Sequence, residues 1–82
     1  MLSMETYKNL SGLSNVESYQ IGEDFIIVLF KKRSNYGANI YKYSYSSAGQ
    51  QNIEYMKTLA QQGQGLNSFI NTHVRKLYES KS

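Results

Sequence analysis

The first half of the chain carries hydrophobic residues in patterns that are typical of β-strands. The clearest is Phe25–Phe30, six consecutive apolar residues rich in β-branched and aromatic side chains. Residues 15–21 predict a strand before it, and Gly22-Glu23-Asp24 predicts the turn that joins the two. Ile40–Tyr45 predicts a third strand, reached through a polar loop over residues 31–39. Together these elements predict a three-stranded antiparallel meander.

After the third strand the hydrophobic residues recur every three or four positions, which predicts two amphipathic helices. Ser47 and Gln50 have the spacing of a capping box, and the first helix is expected to extend to about Gln62. Gly63-Gln64-Gly65 is expected to end it, and Asn67 to cap the second helix. The predicted buried faces comprise Ile53, Met56, Leu59, Ala60, Leu66, Phe69, Ile70, Val74 and Leu77.

The order of these elements is β-β-β-α-α, which predicts an α+β domain in which a helical hairpin follows the meander. A chain of 82 residues suits one domain. Residues 1–12 are expected to form an N-terminal arm, either loose or folded into one short helix. Residues 13–82 are expected to form the domain itself.

Both faces of the predicted central strand, Phe25–Phe30, are apolar. One face can pack against the helices, and the opposite face also needs a cover, because a large exposed apolar stripe is unusual on a monomer. Three covers are consistent with the sequence: the N-terminal arm, a second copy of the chain, or a different partner. The arm would supply Leu2, Met4, Tyr7 and Leu10.

Three tyrosines, Tyr41, Tyr43 and Tyr45, stand at alternate positions of the third strand. In an extended strand their rings share one face, where they either line the core or form a platform for stacking nucleotide bases. The other face of the strand carries Lys42 and Ser44 and suits water, which favours placing the rings in the core.

A net charge of +3 favours anionic partners only weakly. Aromatic side chains beside cations are nevertheless typical of surfaces that bind single-stranded nucleic acid. The alternative to nucleic-acid binding is that the basic run Lys31-Lys32-Arg33 is simply part of a solvated loop. The predicted nucleic-acid-binding residues are Lys31, Lys32, Arg33, Tyr36, Lys42, Arg75 and Lys76.

The composition offers little to catalysis or to metal binding. The chain has no cysteine and a single histidine, His73, so a zinc site is not expected. Only six carboxylates are available to orient a base, and Glu23 and Asp24 lie together in a turn. We therefore expect neither an enzyme nor a cofactor. Without cysteines, an N-terminal signal or a long apolar run, the chain is expected to be cytoplasmic and to bind no membrane.

The chain carries Tyr43-x-Tyr45 before the first predicted helix, then Gly63-x-Gly65, Asn67 and Ile70, and finally Arg75 and Tyr78. This pattern resembles the KTSC domain, a short bacterial module that occurs alone and at the C-terminus of some lysyl-tRNA synthetases. The resemblance covers roughly residues 14–78, and the tyrosine motif aligns as either Tyr41-x-Tyr43 or Tyr43-x-Tyr45. It implies that these positions form a structural signature, and the synthetase context implies RNA binding.

The sequence therefore predicts a small non-catalytic module that binds nucleic acid, RNA or single strands in particular. The alternative is a protein-binding adaptor or inhibitor, for example one encoded by a phage or mobile element. Such a module would act through a sheet edge or through an exposed apolar face.

Overall fold

The computed structural model describes residues 4–31 and 39–82, which form a five-stranded antiparallel sheet with a helical layer against one face. The strands follow chain order across the sheet: β1 (Glu5–Thr6), β2 (Val16–Ile21), β3 (Phe25–Phe30), β4 (Ile40–Ser44) and β5 (Ser80–Lys81). The helices are α1 (Tyr45–Ala48), α2 (Gln50–Gln62) and α3 (Leu66–Phe69), and α3 continues as a π-helical turn over Ile70–Val74.

The predicted α+β class is confirmed, whereas the prediction of three strands is wrong. The meander of β2, β3 and β4 is flanked by β1 on one side and by β5 on the other. Each flanking strand has only two residues, too few for an alternating pattern, and forms by pairing with a long neighbour. The described part of the N-terminal arm therefore contains a strand, and the predicted short helix is not found in residues 4–12.

The third strand ends one residue earlier than predicted because Ser44 caps a helix. The backbone N–H of Ser44 donates to Ser47 Oγ (3.0 Å), and the backbone N–H of Ser47 donates to Ser44 Oγ (3.3 Å). This reciprocal capping box starts α1 at Tyr45, so the predicted box at Ser47 and Gln50 is wrong. The helix α2 follows after Gly49 and ends at Gln62, as predicted.

The last helical segment is shorter than its hydrophobic pattern predicts. Gly65, rather than Asn67, is its N-cap residue. The π-helical turn ends at Val74, so Leu77 lies beyond it and is 42% exposed instead of buried. Among residues 4–31 and 39–82, no helix has the length and hydrophobicity that crossing a bilayer would require.

The core lies between the helical layer and one face of the sheet. Ile26 and Val28 of β3 point into it, and the register places Tyr43 beside Ile26. Full burial of a large apolar side chain stabilises a fold by about 1.5–3 kcal/mol. The buried hydrophobic residues are Tyr7, Val16, Tyr19, Ile26, Val28, Tyr43, Ala48, Ile53, Met56, Leu59, Ala60, Leu66, Ile70 and Val74.

The opposite surface of the sheet, which we call the outer face, carries the alternate residues of β3. Phe25, Ile27 and Leu29 are half-buried, and none of them belongs to the core or packs against it. Ile40 of β4 pairs with Leu29 and is 37% exposed. The described arm contributes Tyr7 to the helix side, where its hydroxyl accepts a hydrogen bond from the Leu66 backbone N–H (3.4 Å). Tyr7 therefore does not cover the outer face, as one of the three alternatives had expected of the arm.

Candidate nucleic-acid interface

Three partly buried rings, Phe30, Tyr41 and Tyr78, meet where β4 pairs with β5, and we call them the edge cluster. Tyr41 lies between the other two. Its ring centroid is 5.4 Å from that of Phe30 and 5.3 Å from that of Tyr78, with the ring planes 88° and 80° apart. Such edge-to-face contacts hold each ring in a fixed orientation.

Lys81 completes this site, and the sequence patterns did not indicate it. It stands directly opposite Tyr41 in the β4–β5 register, with its Nζ 5.2 Å from the centroid of the Tyr78 ring. A hydrogen bond with Tyr78, followed by the charges of the Tyr78 and Tyr41 phenolates, raises the pKa of Lys81. The side chain therefore carries its positive charge beside two tyrosines.

The three tyrosines of the predicted row occupy three different environments. Tyr43 is 1% exposed, and its burial raises the pKa of its hydroxyl far above the usual value. Tyr41 stacks on Tyr43 at 6.4 Å and is only partly buried. Tyr45 lies in α1 and is no longer in register with the strand. The row is therefore not a continuous platform, and Tyr41 is the only strand tyrosine of the three that reaches the edge cluster.

Tyr45 is part of a polar network with α2. Its hydroxyl donates to the Glu54 carboxylate, which raises the pKa of Tyr45 to about 12. Lys57 contacts the same carboxylate at 2.7 Å, and the hydrogen bonds from Lys57 and Tyr45 lower the pKa of Glu54. Lys57 also donates to the backbone carbonyl of Glu23 (2.8 Å), so its ammonium group is already engaged.

Lys42 was predicted to bind nucleic acid, but it does not join the edge cluster. Its neighbours in register, Ile27 and Ser80, place it on the outer face. There its Nζ lies 3.3 Å from the Glu79 carboxylate and 4.8 Å from the centroid of the Phe25 ring. Hydrogen bonds from Ser44 and then Lys42 lower the pKa of Glu79. The charge of Lys42 is therefore largely compensated.

The other predicted cations that the structure describes lie closer to the β4–β5 edge. Arg75 and Lys76 are exposed in the segment that leads from the π-helical turn into β5. Lys31 is exposed at the end of β3. From strand spacing and register, its Cα lies roughly 14 Å from that of Lys81. Lys32, Arg33 and Tyr36 lie outside the described residues.

Charge is distributed unevenly across the sheet. Glu5 and Glu17 lie on the β1–β2 side, Glu23 and Asp24 lie in the turn between β2 and β3, and Glu79 lies next to β5. In residues 4–31 and 39–82 the ion pairs between side chains engage only Lys42 and Lys57. The described cations outside these pairs are Lys8, Lys31, Arg75, Lys76 and Lys81. Arg75, Lys76 and Lys81 lie in or next to β5, whereas Lys31 follows the central strand β3 and its backbone N–H donates to the Asn15 carbonyl.

A second aromatic group lies on the helical layer and was also not predicted. Phe69 packs edge-to-face on Tyr55 at 5.0 Å and stacks on His73 at 4.5 Å. Tyr55 is 52% exposed. The helical spacing of hydrophobic residues predicted that Phe69 is buried. In the structure Phe69 is only partly buried, between two exposed rings that this spacing does not reveal.

The hydroxyl of Thr72 lies 2.7 Å from His73 Nδ1, a distance that a nucleophile and its base would also show. However, this hydroxyl donates its one proton to the backbone carbonyls of Ser68 (2.9 Å) and Phe69 (3.3 Å). The two carbonyls and His73 Nδ1 therefore compete for one hydroxyl proton, and the tautomer of His73 decides whether Nδ1 donates or accepts.

The glycines of the predicted motif shape the corner between α2 and α3. Gly63 has a left-handed backbone (φ +79°), and its carbonyl accepts a hydrogen bond from the Leu10 N–H (2.8 Å). A Cβ at Gly63 would lie 2.5 Å from Lys8 Cβ, so a side chain there would collide with the arm. Of the remaining motif residues, Ile70 is buried in the core and Asn67 is half-buried beside Gly65.

The described part of the chain contains no group of three or more His, Asp or Glu side chains that could hold a metal ion. A scan against protein-family models and searches of curated proteins and of solved structures found no match. The similarity to the KTSC domain therefore rests on the sequence positions quoted above.

Proposed function

We propose that this chain is a non-catalytic module that binds single-stranded nucleic acid, RNA in particular, along its β4–β5 side. The observation that carries the proposal is the charge distribution of the sheet. Glu5 and Glu17 lie on the β1–β2 side, whereas Arg75, Lys76 and Lys81, three of the five described cations without ion pairs, lie in or next to β5. Glu79, the acidic residue beside β5, is paired with Lys42. A polyanion would therefore be attracted more strongly to the β4–β5 side than to the β1–β2 side.

The chemistry of the β4–β5 side suits both parts of a nucleotide. Lys81, Arg75 and Lys76 offer ammonium and guanidinium groups to phosphates. The exposed parts of Tyr41 and Tyr78 offer ring surface to a base, and stacking contributes about 1–3 kcal/mol per base. Lys31, exposed at the end of β3, would offer a further phosphate contact. The resemblance to the KTSC domain, with RNA binding implied by its synthetase context, points in the same direction.

The test is a titration of nuclease-treated protein with fluorescent single-stranded RNA and DNA oligonucleotides over a series of salt concentrations. If three or four cations contact phosphates, the logarithm of the binding constant falls against the logarithm of salt with a slope of roughly −2 to −3. Binding that does not depend on salt, or no binding to any oligonucleotide, would overturn the proposal.

A charge-reversal variant locates the surface. Changing Lys31, Lys32 and Arg33 together to Glu is expected to abolish binding while leaving the circular dichroism spectrum unchanged. The single changes Lys31→Glu and Lys8→Glu form the matched pair, because each changes the net charge by two units, and Lys8→Glu should change affinity much less. Equal losses in these two variants would show that only net charge matters, which would contradict a defined surface.

A further inference from the structure

The outer face of the sheet, distinct from the β4–β5 side, lies opposite the helical layer, and its described apolar side chains on β3 are only half-buried. Its centre is the row Phe25, Ile27 and Leu29 of β3, extended by Ile40 of β4. The helices pack against the other face, through Ile26 and Val28. Three half-buried apolar side chains in a row on a central strand form a larger apolar patch than singly scattered surface residues would.

The outer face is also almost neutral. The register of β2, β3 and β4 places on it the polar residues Ser18, Gln20 and Ser44 and one charged residue, Lys42. Lys42 is compensated by Glu79 at 3.3 Å. Among the described residues of this face, a polyanion finds no uncompensated cation and a strongly charged protein finds no complementary charge. Two copies of such a face meet without repulsion.

From these observations we propose that the outer face is a self-association surface, on which a second copy of the chain packs its own outer face about a two-fold axis. In such an isologous contact each apolar row covers the other, and the polar residues of both copies form the rim.

The size of the face sets the strength of this dimer. Three strands of five or six residues, flanked by two short strands, present roughly 400 Å² per copy at the usual strand spacing. A dimer would bury about 800 Å² in total, below the roughly 1,200–2,000 Å² of stable protein interfaces. The dimer is therefore reversible and concentration-dependent rather than obligate.

Sedimentation velocity of nuclease-treated protein over a wide concentration range tests the proposal. The wild type is expected to shift reversibly from one chain to two as concentration rises. Ile27→Lys places a charge at the centre of the outer face in both copies and should weaken the dimer by at least about tenfold. The control Leu13→Lys adds the same charge in a loop where the side chain is 90% exposed, and it should leave dimerisation unchanged.

A second variant covers the case in which Ile27→Lys does not fold. Ile40→Lys alters a residue that is already 37% exposed at the margin of the outer face, so it should fold and still weaken the dimer. A wild type that stays monomeric at the highest concentration would overturn the proposal. So would a dimer that survives in folded Ile27→Lys and Ile40→Lys, or a monomer whose outer face is occupied by a different protein. None of these outcomes depends on nucleic-acid binding.

Discussion

Tyr41 and Lys81 stand directly opposite each other in the antiparallel pair of β4 and β5. They are forty positions apart in the chain, and the pairing places an ammonium group among the rings of the edge cluster. Glu79 continues the same junction, since its backbone N–H donates to the Lys42 carbonyl (2.6 Å). The last residues of the chain therefore build the side of the sheet on which the proposed function depends.

Lys81→Glu is expected to weaken binding of single-stranded nucleic acid and to reduce the magnitude of the salt slope by about 1, because one phosphate contact is lost. Oligonucleotide titrations at several salt concentrations measure both effects. Lys8→Glu is the matched control, because it makes the same charge change on the β1 side. If the two variants lose affinity equally, the β4–β5 side is not the binding surface.

Tyr78→Leu removes a ring from the edge cluster and should cost about 1–3 kcal/mol of binding if a base stacks there. Tyr55→Leu removes a ring from the helical layer and serves as the comparison. Affinities at one salt concentration, measured on variants whose unfolding free energies are also determined, separate lost stacking from lost stability. An unchanged affinity in folded Tyr78→Leu would argue against base stacking on this ring.

Gly63→Ala is expected to destabilise the fold more than Gly65→Ala. Both glycines have left-handed backbones, which cost an alanine about 1–2 kcal/mol. Only at Gly63 does the added Cβ meet the Lys8 side chain within 2.5 Å, whereas at Gly65 the nearest atom is at an ordinary 3.4 Å. Overpacking should add roughly 1–3 kcal/mol at Gly63. Urea unfolding measures the free energy of unfolding of both variants. Equal decreases would show that the Lys8 side chain moves aside without destabilising the fold.

The contact between Tyr45 and Glu54 predicts a pH dependence of stability at both ends of the scale. The folded state raises the pKa of Tyr45 from 10.0 to about 12, so this contribution is complete below pH 10 and is lost as pH rises toward 12. The lowered pKa of Glu54 acts oppositely: its contribution is present above the usual carboxyl pKa and is lost as pH falls through the lowered value.

Glu54→Gln checks this linkage. Without the carboxylate, the pKa of Tyr45 should move from about 12 back toward 10, which spectrophotometric titration of tyrosinate measures. Tyr45→Phe identifies which ionisation step belongs to Tyr45, since burial also raises the pKa of Tyr43. A titration curve of Glu54→Gln that coincides with the wild type would contradict the contact.

Local patterns predicted the elements whose own residues show a clear hydrophobic period or a capping residue. The continuous apolar run of Phe25–Phe30 is a strand at the predicted bounds, and α2 ends at Gln62 before a left-handed Gly63. The change from alternation to helical spacing also predicted the α+β class. These features depend on the preferences of neighbouring residues, which a sequence displays directly.

The candidate site was only partly predictable. Arg75 and Lys76 were predicted, whereas Lys81 was not, because β5 has two residues and exists only through its pairing with β4. Lys42 was predicted as a phosphate contact, yet the fold brings Glu79 to within 3.3 Å of it. A sequence pattern does not reveal which distant residue will neutralise a charge.

The sequence by itself determined the central hairpin of β2 and β3, the main helix α2 and the glycine corner that follows it. Only the tertiary structure decided that Tyr43 is core while Tyr41 lies beside β5, and that one face of β3 is buried in the core while the apolar residues of its other face are half-buried. The physical reason is the separation along the chain over which each kind of interaction acts. Periodicity and capping act over a few residues, whereas burial, edge pairing and charge compensation depend on contacts between segments far apart in the chain.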